Sequence, residues 1–578
     1  MVNKYKDNLL LGIFILGFLM LRLFYITRVK GPFVYTDEMG YWGHAANLTG
    51  NAWAGVMSDM PWYAFGYSLF LAPLFLISNN IVIMYRMAVI LNILFGLLSF
   101  ALAYRVIGKL VSGSNVLLKG SLTFVATAYS AYIFQSYVAW SETLLNLLVW
   151  LIFYELLSLE DNPKYYKGIL LGITVGYAYM VHNRMLAVIG AVVLLTVVLL
   201  WNRKIKIGHF MCIIGAIMAS FIIYVLLKGF FQHLLTDNAV LQELGIEINL
   251  AEANTLSGQI FKIKALFSLK GLKTFLLNLV GQLWQFLSAT YLIAGFGIVF
   301  SIKGGIDALK NKKQISLFWF PLIALLATIV MTSVFFIGQN SNLGGEKVRI
   351  DTLFYGRYND TLIAPLIIMG MLWLKEELKI YHKYVCIAFY LIYLGISCIM
   401  YYNLKGIENF YLNTVSAVGI YTFHWFGEFT VWKCTLFAIL VSMIFVVLSS
   451  FRSIKKFSNY IIYLLLIALF STTALKCMKI SIRGENDNTS RYEQIYNFLN
   501  ENTLEKELIY TCMREKAAYD LQTRVVDKMV VSIDIGQMEL VDYNYIVVEN
   551  QDYNELDGTK YKVCMETEDY LIIQKVRD

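Results

Sequence analysis

Long apolar runs recur from Leu9 to Met478, separated by short polar connections that carry Lys and Arg. A helix needs about 20 mainly apolar residues to cross a bilayer. That length divides the chain into about thirteen spans, at 8–26, 82–105, 118–137, 140–158, 166–181, 185–201, 207–229, 277–301, 315–337, 359–375, 384–402, 430–450 and 459–478. An apolar, aromatic segment at 62–77 is too short to cross and reads as a re-entrant or interfacial helix. Beyond residue 480 the pattern changes. Helical periodicity at 490–499 and 515–521, with strand-like runs at 508–512, 525–533, 543–548, 561–565 and 570–576, predicts a small α/β domain. The expected fold class is therefore an α-helical polytopic membrane protein, with a transmembrane domain over 1–479 and a soluble α/β domain over 480–578.

Composition agrees with the pattern. The 578 residues are 58% hydrophobic and 15% charged, against about 45–50% and about 25% in soluble domains. The net charge of +8 does not point to nucleic acid, because the basic residues form short clusters between apolar runs. Those clusters orient the chain instead. With the N-terminus inside, every expected inner loop carries at least two basic residues, such as Arg203, Lys204 and Lys206, or Arg452, Lys455 and Lys456. An odd number of spans then puts the C-terminal domain outside. Heavy use of Lys, Ile, Asn and Tyr hints at an AT-rich bacterial genome, and the expected location is a bacterial cytoplasmic membrane. Of seven cysteines, five lie in or near apolar runs, and only Cys512 and Cys564 fall in the tail, where one disulfide can form.

Three outer connections are long: 27–81, 230–276 and 338–358. Long ordered loops on one face suggest a functional surface. The first carries VYTDEMGYWGHAANL, with adjacent carboxylates Asp37 and Glu38 just after the first span. Such a pair alone is ordinarily a solvated loop, but this one has company. Glu142 opens a later span, His182-Asn183-Arg184 forms an outer turn, and Arg349, Arg357, Tyr358 and Asp360 lie near another outer helix start. Carboxylates deprotonate hydroxyls or bind a divalent cation, and arginine grips phosphate oxygens in pairs. For each arginine alone, an interfacial anchor is an equal reading. Converging on one face, the set suits a sugar phosphate.

In this order the motifs resemble those of GT-C glycosyltransferases, the polyprenyl-phosphate-sugar-dependent superfamily that includes protein O-mannosyltransferases and lipid A aminoarabinose transferases. The resemblance is carried by Asp37 and Glu38 with trailing Tyr41 and Ala45, the segment MPWYAFGYSLFLAPLF, the helix YRMAVILNILFGLLSFALAYRVIG, Glu142, Arg184, and an Arg-Tyr pair upstream of Pro365. It covers most of the first 380 residues. Where the aminoarabinose branch has Lys-Pro-Pro, this chain has Met60-Pro61-Trp62, and His182-Asn183-Arg184 replaces a Thr-Lys-Gly-Pro turn. Lysine contacts to phosphate therefore do not carry over.

The resemblance implies an inverting transfer from a polyprenyl-phosphate-linked donor to a hydroxyl on a lipid, polymer or protein acceptor, at the outer face. Asp37 is the expected general base, with Glu38 and Glu142 orienting acceptor or ions. The expected substrate-binding residues are Tyr35, Tyr41, His182, Arg184, Arg349, Arg357 and Tyr358, with Arg184 and Arg357 on the lipid phosphate. Asp37 and Glu38 are the candidate ligands for a divalent cation, Mg or Mn, should one be used. Two alternatives stand beside this reading: a lipid or glycan transporter or flippase, and a surface-glycan ligase or polymerase. The first calls for internal repeats and charges at the bilayer midplane. The second calls for key arginines gathered in one large outer loop.

Overall fold

The computed structural model describes residues 2–576 except 52, 59, 112–115, 244, 247–255, 339–348, 377–379, 406–415, 422–428, 451–454, 542, 554–555 and 557–558. Among the described residues, nine helices are long and apolar enough to cross a membrane, or ten if one bent pair counts as a span. Four of the thirteen expected spans are not among the nine, and one of them, 166–181, is the 17-residue helix Tyr165–Val181. The run 277–301 is divided between helices Leu269–Ala289 and Ile293–Lys310, which meet at 105°. Tyr291 and Leu292 make that corner with φ of 50° and 65°, a left-handed backbone that no helix can pass through. The run 118–137 becomes Val116–Thr127 and the short helix Ser130–Gln135. At that break Arg22, on the first helix and 2% exposed, donates to the Thr127 carbonyl at 2.6 Å, satisfying an orphan helix end. The run 359–375 contains only the 13-residue helix Ile363–Lys375. This helix lies so close to Ile293–Lys310 that a Cβ on Gly370 would sit 1.8 Å from the Ile293 carbonyl oxygen.

The long outer connections are largely folded. The first contains helix Thr36–Leu48, the turn Ala54–Met57 and the ten-residue helix Ser68–Ile77. The second is shortened by helix Ile207–Thr236 and holds helices Ala239–Glu243 and Leu256–Ala265. Of the third, residues 339–348 lie outside the described residues, and Ile350–Phe354 forms a short 3-10 helix.

The last helix, Lys455–Asn502, runs 48 residues without a break. At 1.5 Å per residue it is about 70 Å long, over twice the ~30 Å hydrocarbon thickness. The helical pattern at 490–499 is thus the far end of the final span, and position 480 falls inside one continuous rod. The tail then forms a five-stranded sheet from β1 (Leu508–Thr511), β2 (Met529–Ser532), β3 (Ile546–Glu549), β4 (Tyr561–Glu566) and β5 (Tyr570–Lys575). Its order is β2-β1-β3-β5-β4, with β1 parallel to β2 and β3, and β5 antiparallel to β3 and β4. Cys512 and Cys564 are both free. Two strands separate β1 from β4, and at ~4.8 Å per strand their α-carbons stand well beyond the ~7 Å limit for a disulfide. The tail is fastened to the first outer loop, since Trp53 Nε1 donates to Val526 O at 2.9 Å and Arg524 Nη1 to Lys30 O at 2.7 Å.

Candidate active site

Asp37 and Glu38 occupy the first turn of helix Thr36–Leu48, where the helix dipole favours negative charge. Successive residues on a helix point about 100° apart, so the two carboxylates part company. Asp37 lines a cavity of about 190 Å³ and pairs with Arg357 Nη2 at 2.8 Å, with the Tyr63 hydroxyl as a further hydrogen-bond partner. Glu38 is fully buried on the other side, accepting from Tyr85 OH at 2.5 Å and from Ala139 N–H at 3.0 Å. Burial pushes its carboxyl up to about 7, against the bonds from Tyr85 and Ala139. Glu38 is therefore a buried tie between the first outer helix and the segment before Trp140. The pair does not fit a shared Mg or Mn ion, because Glu38 points at protein donors and Asp37 at a guanidinium. Among the described residues, no group of three or more His, Cys, Asp or Glu could hold a metal ion.

Glu142 is also fully buried and lies behind the cavity. One of its oxygens takes Arg357 Nε at 2.6 Å and Arg184 Nη1 at 3.1 Å. Its neighbour Ser141 accepts from Tyr41 OH at 3.0 Å. Two arginines and two acids, Asp37 and Glu142, thus form one compact, charge-balanced array drawn from four separate parts of the chain. The arginines also rest on rings, Arg357 over Trp140 at 3.7 Å and Arg184 over Tyr358 at 5.0 Å.

Local backbone geometry fixes Arg357. The N–H groups of Gly356 and Arg357 both donate to Ser416 O, at 2.8 and 3.4 Å. A Cβ at Gly356 would stand 2.0 Å from Nε2 of the fully buried Gln285, so a larger residue here requires Gln285 to shift.

The structure sorts the expected substrate-binding residues into two groups. Tyr41, His182, Arg349 and Tyr358 line the cavity. Tyr35, Arg184 and Arg357 do not. Tyr35 stacks on Trp140 at 5.7 Å, and each of the two arginines has only 4% of its side chain exposed. Both arginines pair with Glu142, the counter-charge that a buried guanidinium needs. Among the described residues, Arg349 is the arginine that lines the cavity, pairing with Asp351 at 2.7 Å with nearly half of its side chain exposed. His182 is held well below its ordinary range, first by burial and then by the Arg184 charge, and stays neutral at pH 7.

Tyr63, Tyr355, Phe335 and Phe336 also line the wall, and Trp140 forms the shelf under Arg357. None of them stood out in the sequence. Tyr355 and Trp140 are the neighbours in sequence of residues that did, and that was their only signal.

No family model matches the chain, and no curated protein matches it. Solved structures do. The crystal structure of ArnT from Cupriavidus metallidurans bound to undecaprenyl phosphate aligns over 98% of this chain and 98% of its own, with a TM-score of 0.53 and 11% identity. The apo state of that protein gives 0.53 and 11% over 98% and 97%. The archaeal oligosaccharyltransferase AglB from Archaeoglobus fulgidus, in complex with an inhibitory peptide and a dolichol-phosphate, gives 0.45 and 10% over 94% and 69%. The chain therefore shares the fold of the ArnT structures, carried on an almost wholly different sequence.

Proposed function

We propose that this protein is a membrane glycosyltransferase that moves a sugar from a polyprenyl-phosphate donor to an acceptor hydroxyl at the outer face of the cytoplasmic membrane. The observation that carries the reading is Asp37, the one carboxylate among the described residues lining the cavity, anchored by Arg357 to a buried Arg–Glu–Arg array. The fold adds support, since the ArnT structure it matches holds undecaprenyl phosphate.

The chemistry assigns one step to each group. Asp37 accepts the proton of the acceptor hydroxyl as that oxygen bonds to the anomeric carbon. The bond from that carbon to the phosphate oxygen breaks on the opposite face, its electron pair leaving with the lipid phosphate, so configuration inverts. Arg349 meets the phosphate at the cavity rim. Arg184 and Arg357 act from behind, supplying a fixed positive field and the aim of Asp37 rather than direct contacts. Glu142 is a positioning residue. His182, held neutral, and the tyrosines of the wall offer hydrogen bonds to sugar hydroxyls.

Purified protein in proteoliposomes, supplied with a panel of polyprenyl-phosphate sugars and envelope extract as acceptor source, should release free polyprenyl phosphate in step with glycan labelling. Failure to bind polyprenyl phosphate and to release it from every donor would overturn the reading.

A further inference from the structure

The tail carries a binding topology that the transfer chemistry leaves unused. From β1 the chain passes through helix Glu515–Arg524 to β2 on one side, then returns to β3 on the other. All three run parallel. The connection leaving β1 goes toward β2 while that leaving β3 goes toward β4 on the other side, so a crevice opens between the carboxyl ends of β1 and β3. In open α/β sheets, that switch point is where ligands bind. Two adjoining cavities, of about 250 and 400 Å³, share Tyr492, Arg514 and Tyr570 at this edge. Arg514 follows β1, Glu549 ends β3, Tyr570 opens β5, and Tyr492 comes from the long last helix. Together the two cavities are of the size of small-ligand sites, ~300–1,000 Å³.

One buried group in the cleft lacks a hydrogen-bond partner. Asp520 lines the smaller cavity, is 4% exposed, and neither of its carboxylate oxygens has a hydrogen bond. Its ion pair to Arg524 Nε, at 3.8 Å, is too long to be one. A buried acceptor left open in a cleft calls for an explanation, and a ligand donor supplies it.

The lining says which ligand. Arg491, Arg514 and Lys516 share the lining with Asp520, Glu549 and Asp569, and Arg514 lies 3.6 Å from Glu549. A simple anion would meet the acids and a simple cation the arginines. A neutral polyhydroxylated molecule uses both, as each hydroxyl donates to a carboxylate and accepts from a guanidinium. Tyr492 and Tyr570, with ring centres 5.3 Å apart, add apolar faces for its C–H surfaces.

We propose that this cleft is a saccharide-binding site that holds a glycan acceptor for transfer at Asp37. The acceptor role rests on the function proposed above; the binding site does not. Val34 joins the two places, since it lines the cleft and stands three residues before Asp37 in sequence. Its φ of 53° is a left-handed conformation that a β-branched residue adopts only when its surroundings enforce it. The neighbouring Lys30 carbonyl is held by Arg524, the same residue that pairs with Asp520. The cleft and the catalytic helix thus share one short, fixed strand of backbone.

The test uses full-length protein in nanodiscs, titrated with maltotriose and chitotriose by saturation-transfer NMR, with trialanine as the peptide control. At least one sugar should bind saturably and weaken by about tenfold or more in Tyr570→Ala and in Arg514→Ala, the loss expected of an anchoring contact. Arg514 is exposed, so its replacement leaves the fold intact. In transfer assays the same variants should raise the acceptor KM by about tenfold with kcat within about threefold, the signature of lost acceptor binding. No saturable sugar binding, binding indifferent to both variants, or preference for trialanine overturns the site. The titration needs no turnover, so it decides the site even where the transfer assay fails. Full transfer with unchanged acceptor KM in both variants removes the acceptor role and leaves the chemistry at Asp37 standing.

Discussion

Arg357 Nη2 lies 2.8 Å from Asp37 Oδ2, joining residues 320 positions apart, and its Nε reaches Glu142 at 2.6 Å. One guanidinium therefore both aims the proposed base and neutralises the buried acid behind it. That double duty separates the consequences of changing each partner.

Asp37→Asn keeps the size of the side chain and much of its hydrogen bonding but removes the base. Transfer should fall by ~10²–10⁴-fold, the usual contribution of a positioned carboxylate. Polyprenyl-phosphate binding should stay within a few-fold of the parent, since Arg357 keeps Glu142. Single-turnover transfer with labelled donor, alongside equilibrium donor binding, separates the two. Parent-like transfer in this variant would remove Asp37 from the role.

Glu142→Gln should act first on stability. It leaves Arg184 and Arg357 buried with one acid, Asp37, between them, and breaking a buried pair costs about 3–5 kcal/mol. Thermal unfolding in detergent should show Glu142→Gln well below Asp37→Asn, whose carboxylate is 23% exposed. Equal melting points for the two variants would contradict this division of labour.

Glu38 supplies a pH signature. Its carboxyl is raised from about 4.5 to about 7, so the folded state holds the proton more tightly than the unfolded chain. The stabilisation is complete below pH 4.5 and is lost as pH rises through 7, a swing of about 3 kcal/mol at ~1.4 kcal/mol per pH unit. Glu38→Gln accepts the Ala139 N–H and never ionises. Its melting point relative to the parent should therefore climb between pH 5 and pH 8. A difference flat across that window would place the Glu38 carboxyl in its ordinary range.

Gly356→Ala should weaken transfer through Arg357, because the new methyl would collide with the buried Gln285 side chain. Adding Gln285→Ala opens that space and should restore most of the lost activity. The double-variant cycle measures the coupling, and strictly additive effects would show that the turn adapts by another route.

A reporter fused after Asp578 should behave as extracytoplasmic, as the alternating basic loops require. The same orientation puts Asp37 and the tail on one side of the membrane, as the bonds from Arg524 to Lys30 O and from Trp53 to Val526 O demand. An active cytoplasmic reporter there would reverse the face on which the chemistry occurs.

Hydrophobic run length and period determined, from the sequence alone, that this is a many-helix membrane protein with a small α/β tail. Both are local properties, set by burial in lipid and by the alternation of a half-buried strand. Strand runs near 508, 561 and 570 were legible for the same reason. The charges that gather at Asp37 were legible as a set, because charged residues at the ends of apolar helices are few and costly. Their division of roles was not. Whether a carboxylate faces a cavity or a tyrosine depends on helix rotation and on partners a hundred or more residues away, as Glu38 with Ala139 and Glu142 with Arg357 show. The corner at Tyr291 and Leu292 was hidden too, since an apolar run reads alike whether it continues or turns inside protein. The cleft of the tail exists only once β3 has crossed to the far side of β1. Tertiary structure decides such matters because they are contacts between distant segments, and no window on the sequence holds both partners at once.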